Sequence, residues 1–406
     1  MSNTVYLTRN GLLEPLGQSQ VFAYLRGLSR EHTITLITYE KPDDWADRAR
    51  MARARADCDA YGIRWLPQRF RARPKLIAPA LSMLRMVWLV RREVKRNGVQ
   101  LIHARSYIPA AVALVVSRLT RVPFIFDMRA LWPEELITAG RLRRGSIIHR
   151  AIVAAERACL RRSAAVVSLT HAAVEHLQHE YPEELREQKI AVIPTCADLE
   201  RFVPAANTPE NKVIGCLGTV LSGWFKVDWL ASFIAAAAAG DPELRFEITT
   251  RDDPEQVRAA IGGGPEVQDR LSVVPSPSEL VHEVIQGQTA SVMFYAGGEV
   301  SELGRSPTRM AEILGCGLPV VANDGVGDVA RIIQQYRVGV LVEGPEPEQM
   351  ATALEELDQL LLERDLAARC RAAAEAVFSL KGGTEAYAEL YASILNPEGE
   401  AIPCAD

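Results

Sequence analysis

Two successive series of short β-branched runs, each run separated from the next by a longer helical pattern, constrain this chain more than any other feature. In the first series TVYLT (4–8), TITLITYE (33–40), IRWLP (63–67), VQLIHA (99–104), FIFDM (124–128), AVVSLT (165–170) and IAVIPT (190–195) read as strands. The second holds VIGCLG (213–218), FEITT (246–250), LSVVP (271–275), ASVMFY (290–295), PVVA (319–322) and VGVLV (338–342). Short apolar runs alternating with helices are the mark of parallel sheets, because each parallel return needs a crossover long enough to hold a helix. Helices are expected around 19–28, 76–97, 108–119, 147–162 and 346–378, with a Gly-Gly break before a last helix near 384–395. The fold class is therefore α/β, with two Rossmann-like, doubly wound parallel-sheet domains in tandem.

A chain of 406 residues is long for one hydrophobic core. The polar, Pro-containing stretch CADLERFVPAANTPENK (196–212) reads as the interdomain linker. Residues 1–200 then form a first domain, 201–380 a second, and 381–406 a C-terminal helix and tail. Ligands of such sheets bind beyond the C-terminal strand ends, beside helix N-termini, so two domains predict two substrates meeting in a central cleft.

Charge separates the halves. Residues 1–205 hold 32 Lys+Arg against 20 Asp+Glu, a balance of +12, and the remainder holds 14 against 31, a balance of −17, giving the net −5. The excess is densest from Arg64 to Arg96, where ten cations and one acid are interleaved with Trp65, Leu81, Leu84 and Trp88. A second cluster runs RLRRGSIIHR (141–150). Basic residues mixed with Trp and Leu suit an anionic lipid surface, and residues 64–96 are the expected inner-membrane contact. No nucleic-acid motif accompanies the charge, so no nucleic-acid partner is expected. The longest apolar runs, such as IPAAVALVVS (108–117), are too short to span a bilayer. The start MSNTVYLTRNG lacks a basic segment followed by an apolar one, so a cytoplasmic, peripheral protein is expected. Seven scattered cysteines without a CxxC pair argue against a disulfide framework or a zinc site.

The most informative short stretch is SPTRMAEILGCGLPVV (306–321). Ser306 suits an N-cap and Pro307 a first helical position, with Thr308 following, so a helix is expected to begin here. Side chains three apart share a helix face and tilt toward its N-terminus, which brings Arg309 and Glu312 to that mouth. Free N–H groups and a cation suit a diphosphate, and an ionised carboxylate suits the two hydroxyls of a ribose. An ordinary surface ion pair between Arg309 and Glu312 is the alternative reading of the same spacing.

This stretch resembles the donor-binding motif of GT-B glycosyltransferases, especially the retaining family four and its bacterial cell-surface polysaccharide enzymes. The resemblance extends to GLLEPLGQSQVFAYLRGLSREHTITLITYEK (11–41), VIPTCADLERFVP (192–204), GCLGTVLSGWFKVDWL (215–230) and FSLKGGTEAYAELYASIL (378–395). It implies a nucleotide-diphosphate sugar as donor and a glycan or lipid-linked acceptor. No metal or other cofactor is expected, since no DxD lies in a suitable loop, protein donors can replace one, and Arg251-Asp252-Asp253 reads as a helix cap. It places Gly17 in a glycine loop beneath the donor phosphate, Gly218 and Thr219 beside the nucleotide, and Lys226 near a phosphate-binding lysine. Arg309 and Glu312 take the positions of a basic donor contact and a ribose-binding glutamate. The Arg that usually precedes the lysine is missing here. Gly304 stands where many members carry a sugar-contacting glutamate, with Glu299 or Glu302 as candidate substitutes.

In the first half, FDMRALWPEE (126–135) ends an apolar strand with Asp127 and Arg129, and HARSY (103–107) brings His103 and Arg105 to a neighbouring strand end. Asp127, Arg129, His103 and Gly17 are the expected catalytic-centre residues. Family resemblance implies a retaining transfer assisted by the departing phosphate. If the enzyme inverts instead, Asp127 is the leading general base. A sugar-nucleotide 2-epimerase of the same fold and a non-catalytic partner subunit are the competing readings. A nicotinamide dehydrogenase is disfavoured, since no GxGxxG follows the first strand.

Overall fold

The computed structural model describes residues 1–70, 77–206 and 211–396. These form two compact units, one of Met1–Pro194 with the segment from Leu380, the other Thr195–Ser379. Arg71, Arg73 and Lys75 of the basic segment, part of the 196–212 stretch, and the tail beyond 396 lie outside the described residues.

The first unit is built on seven parallel strands: β1 (Ser2–Leu7), β2 (His32–Glu40), β3 (Arg64–Arg69), β4 (Leu101–Arg105), β5 (Phe124–Asp127), β6 (Ala165–Ser168) and β7 (Ile190–Val192), in spatial order β3-β2-β1-β4-β5-β6-β7. Chain order reverses between β1 and β4. Because parallel crossovers are right-handed, helices on the two sides of that reversal cover opposite faces. α1 (Ala23–Leu28) follows β1, whereas α2 (Ile77–Asn97), α3 (Tyr107–Thr120) and α4 (Ile147–Arg162) serve β4 to β6, with α2 packed on α3 and α3 on α4.

The second unit has six parallel strands: β8 (Val213–Leu217), β9 (Arg245–Thr249), β10 (Leu271–Val274), β11 (Ala290–Met293), β12 (Val320–Asn323) and β13 (Gly339–Val342), ordered β10-β9-β8-β11-β12-β13. α5 (Val227–Gly240), α6 (Pro254–Ile261), α7 (Thr308–Gly315), α8 (Pro347–Leu361) and α9 (Leu366–Phe378) pack around it. Its core runs without a break from Leu199 and Phe202 to Phe378.

Two expectations are corrected. The described part of the 196–212 stretch is a packed element of the second unit: Leu199 and Phe202 are buried, and Arg371 donates to the carbonyls of Leu199 and Phe202. Its polar composition concealed two apolar anchors. The 346–378 region is helical as expected, and consists of the two helices α8 and α9. The Gly-Gly pair does not break the last helix, since α10 (Leu380–Leu395) runs through Gly382 and Gly383. Gly383 is buried and α10 packs against α1, so tertiary burial outweighs a propensity cost of about 1 kcal/mol per glycine.

Candidate functional site

In the second unit, β8 ends at Leu217 and the chain turns at Gly218, whose φ of +87° lies in the left-handed region open to glycine. A Cβ there would stand 2.2 Å from Nη2 of Arg309, so the guanidinium lies directly against the turn. Asp252 fixes the next residues by accepting from the Val220 and Leu221 amides at 2.7 and 3.0 Å. Asp253, beside it, caps α6 by accepting from Gln256. The Arg-Asp-Asp run thus shapes a loop and starts a helix.

The 306–321 stretch forms helix and strand as expected, but its first turn differs. Pro307 occupies the N-cap position, α7 starts at Thr308, and no side chain caps it. Ser306 instead accepts from the Thr195 amide at 3.1 Å, which leaves the helix mouth without its cap. Arg309 and Glu312 both face a cavity of about 480 Å³, which Gly218, Thr219, Thr250, Arg251, Ser276 and Arg305 also line. Arg309 lies 5.4 Å from the Tyr295 ring centroid and 5.9 Å from that of Phe225, and its Nη1 is buried without a hydrogen-bond partner. Burial pushes the Glu312 carboxyl up to about 7, against the lowering influence of Arg309 and Arg201. An ordinary surface ion pair does not describe this spacing: both groups are half-buried at the cavity, and the cation keeps an unmet donor.

Arg305 was invisible to sequence reasoning because no spacing rule links it to the cavity. Its guanidinium stacks 5.0 Å from the Trp224 centroid and 5.6 Å from that of Tyr295, and Glu302, almost wholly buried, holds it in a two-point ion pair. The Tyr295 backbone is in turn clamped by the Asn323 amide, at 2.8 and 3.0 Å. Glu302 is thus committed to Arg305, and Glu299 is exposed. Lys226 departs from expectation. Its ammonium sits 4.0 Å over the Trp229 ring and lines a separate open groove of about 1310 Å³, not the cavity of Arg309.

In the first unit, register aligns Tyr6 with His103 and Arg105 with Asp127, placing all four side chains on one sheet face. Over them lies α10, whose Tyr387 and Tyr391 share one helix face. His103 Nδ1 is 2.8 Å from the Tyr391 hydroxyl and its Nε2 is 3.3 Å from Asp127, while Tyr387 donates to Asp127 at 3.2 Å. Arg105 and Arg129 each approach the Asp127 carboxylate to 3.8 Å. Asp127 is 0% exposed. Burial raises its pKa, but Arg129, the His103 hydrogen bond and Arg105 outweigh that and hold it below the usual carboxylate range. Burial lowers the His103 pKa, against the raising influence of Asp127, and so favours the neutral imidazole. Sequence reasoning placed His103, Asp127 and Arg129 together, and the structure does so too. It adds the tyrosines of α10, more than 250 residues away in the chain, which no local pattern announces.

Gly17 sits in helical backbone at φ −62°. A Cβ there would lie 2.1 Å from the Gly11 carbonyl oxygen, so the chain's own loop packs directly against the glycine. That loop is held by Glu40, a buried carboxylate at the end of β2 that accepts from the Leu12 and Leu13 amides at 2.8 and 3.3 Å. Glu40 also escaped sequence reasoning, because its role needs β1 and β2 to be paired first.

A parallel α/β unit thus brings a cation, a carboxylate and a glycine turn together on one cavity, a donor and acceptor set suited to an anionic, hydroxyl-bearing ligand. Comparison with known proteins gives the class. Residues 17–201 match the model of Glycosyltransferase Family 4, and residues 211–359 match that of Glycosyl transferases group 1. Among solved structures, a glycosyltransferase from Rickettsia africae ESF-5 superposes with a TM-score of 0.69 at 16% identity, covering 97% of this chain and 99% of that one. Anabaena HepE in complex with UDP superposes at 0.68 with 16% identity, over 97% and 100% of the two chains. WaaG, a glycosyltransferase involved in lipopolysaccharide biosynthesis, does so at 0.63 with 14% identity, over 97% and 99%. No curated protein matches the chain in sequence. The chain belongs to the GT-B glycosyltransferases that use nucleotide sugars, and its first half carries the family-four signature.

Proposed function

We propose that this enzyme moves a sugar from a nucleoside-diphosphate sugar, held in the Arg309–Glu312 cavity, to a hydroxyl of a glycan or lipid-linked acceptor in the synthesis of a bacterial cell-surface polysaccharide or glycolipid. The observation that carries this reading is the buried, unpartnered Nη1 of Arg309 beside Gly218. A buried donor without a partner costs free energy until an anion fills the place, and a diphosphate there would satisfy it. Glu312, at the same cavity, would accept from the ribose hydroxyls once ionised. HepE, which has the same fold, is known bound to UDP and to UDP-glucose, which favours a uridine donor.

Transfer breaks the bond between the sugar's anomeric carbon and the diphosphate oxygen and forms one to the acceptor oxygen. Arg309 and Arg305 are positioned to neutralise charge on the leaving diphosphate, the electrostatic contribution expected to dominate. This takes the role from Lys226, which lies outside the cavity. The acceptor proton passes to a departing phosphate oxygen, a retaining course that asks no protein base. The burial of Asp127 and its four charged or hydrogen-bonded neighbours favour that course over one with Asp127 as base. No metal is assigned a part, since two guanidiniums can carry the charge.

We place the enzyme on the cytoplasmic membrane surface as a peripheral protein. Among the described residues no helix is long and apolar enough to cross a membrane. Within 64–96, Trp65 is core, donating to Thr38, whereas Leu81, Leu84 and Trp88 are exposed. The test of the donor site is a thermal-shift panel of UDP-, GDP-, ADP- and CMP-sugars on wild-type protein and on Arg309→Gln. One nucleotide series should raise the melting temperature of the wild type and not of the variant. No shift with any of them would overturn the reading.

A further inference from the structure

The three helices α2, α3 and α4 are neighbours on one face of the first sheet, and each turns large apolar side chains to solvent. On α2 these are Leu81, Leu84 and Trp88, at i, i+3 and i+7; on α3, Val115 and Leu119, at i and i+4. At the start of α4, Ile147 and Ile148 are 86% and 65% exposed. Buried neighbours such as Met86, Val90, Val112, Val116 and Leu160 show that each helix has a separate core face, so the exposed residues are a second apolar surface.

Charge on these helices runs one way. α3 contains no Asp or Glu, and the single acids of α2 and α4, Glu93 and Glu156, are both buried. Glu93 pairs with Arg64, and Glu156 accepts from Tyr107 and Tyr181. Exposed cations remain on every segment, including Arg85, Arg91, Arg96, Arg118, Arg143 and Arg150. Arg144 is taken by Glu134, and Arg157 and Arg161 by Glu184, so these two carboxylates near α4 are already committed to arginines; Glu180, on a neighbouring helix, is exposed and acts on Arg144. Three helices with outward apolar residues and no exposed carboxylate would repel neither lipid tails nor anionic headgroups. A nucleic acid would leave the isoleucines and leucines without a partner.

We propose that α2, α3 and the start of α4 form one membrane-docking face for an anionic phospholipid surface, with Ile147 and Ile148 as a second insertion point in addition to Trp88. The proposal rests on the membrane contact placed above at 64–96 and extends it from one helix to three. Apolar side chains would enter the headgroup boundary while the arginines meet lipid phosphates, two signals that reinforce each other.

The experiment is co-sedimentation of the full chain with vesicles of phosphatidylcholine alone and of phosphatidylcholine with phosphatidylglycerol. Wild type should bind the anionic vesicles, losing binding at high salt, and bind neutral ones about tenfold more weakly. Ile147→Asn/Ile148→Asn should weaken anionic binding about tenfold or more, as should Leu84→Gln/Trp88→Gln. Leu362→Asn, an equally exposed apolar position in the second unit, should change nothing. Nucleotide-induced thermal shifts, unchanged in all variants, report that each is folded. If only the Leu84/Trp88 variant loses binding, the single-helix contact stands and the three-helix face is overturned. If the wild type ignores anionic vesicles, both are overturned, and equal binding to neutral vesicles removes the anionic requirement.

Discussion

Glu312→Gln separates what this carboxylate costs the empty protein from what it gives a bound nucleotide. Burial holds its pKa at about 7, above the 4.5 of an unperturbed carboxyl, with Arg309 and Arg201 restraining the rise. The native protein therefore binds this proton more tightly than the unfolded chain. Stability falls as pH climbs from about 4.5 to about 7 and stays lowered above that range. At about 1.4 kcal/mol per pH unit of displacement, discounted for partial exposure, the ionised carboxylate costs the empty protein on the order of 2 kcal/mol at pH 8. It costs nothing below pH 4.5. Glutamine keeps the shape and sheds the charge. The variant should melt about 4–8 °C above wild type at pH 8 and match it near pH 4. Its nucleotide-induced shift should shrink, because a neutral amide is a poorer acceptor for ribose hydroxyls. In the wild type, nucleotide affinity should fall as pH drops below about 7, following loss of the ionised form. Melting curves at both pH values, with and without nucleotide, test all of this. A variant no more stable than wild type at pH 8, yet with its nucleotide response intact, would refute the reasoning.

Gly218→Ala places a methyl against the Arg309 guanidinium on a backbone with φ of +87°, and should weaken nucleoside diphosphate binding at least about tenfold by titration calorimetry while uridine alone binds nearly as before. Arg305→Lys should lower diphosphate affinity severalfold, whereas Lys226→Ala should leave it unchanged; the reverse order would return the phosphate role to Lys226. Asp127→Asn leaves Arg129 and Arg105 without their counter-charge and should cost about 3–5 kcal/mol in denaturant unfolding at pH 7. Because the folded-state pKa of Asp127 is depressed, its stabilisation is present above pH 3.8 and fades as pH falls further, so the gap between variant and wild type should close in acid. A general base with no packing role would lower turnover and leave unfolding untouched. Gly17→Ala should destabilise the first unit by about 1–3 kcal/mol in denaturant melts, since its methyl meets the Gly11 carbonyl.

What the sequence determined by itself was the periodic content. Alternating strand and helix patterns fixed two parallel α/β units, because hydrophobic period and turn chemistry are local properties. The spacing of Arg309 and Glu312 fixed their shared helix face for the same reason. Tertiary structure decided what depends on contacts between distant segments. Arg305 enters the cavity only because Glu302 and Tyr295 hold it there, and Lys226 leaves it because Trp229 offers its ring. Asp127 is legible in the sequence as an acid at a strand end, but its setting forms only when Tyr387 and Tyr391 close over its cluster. A carboxylate's reactivity is set by solvation and neighbouring charge, and neither exists until the chain has folded.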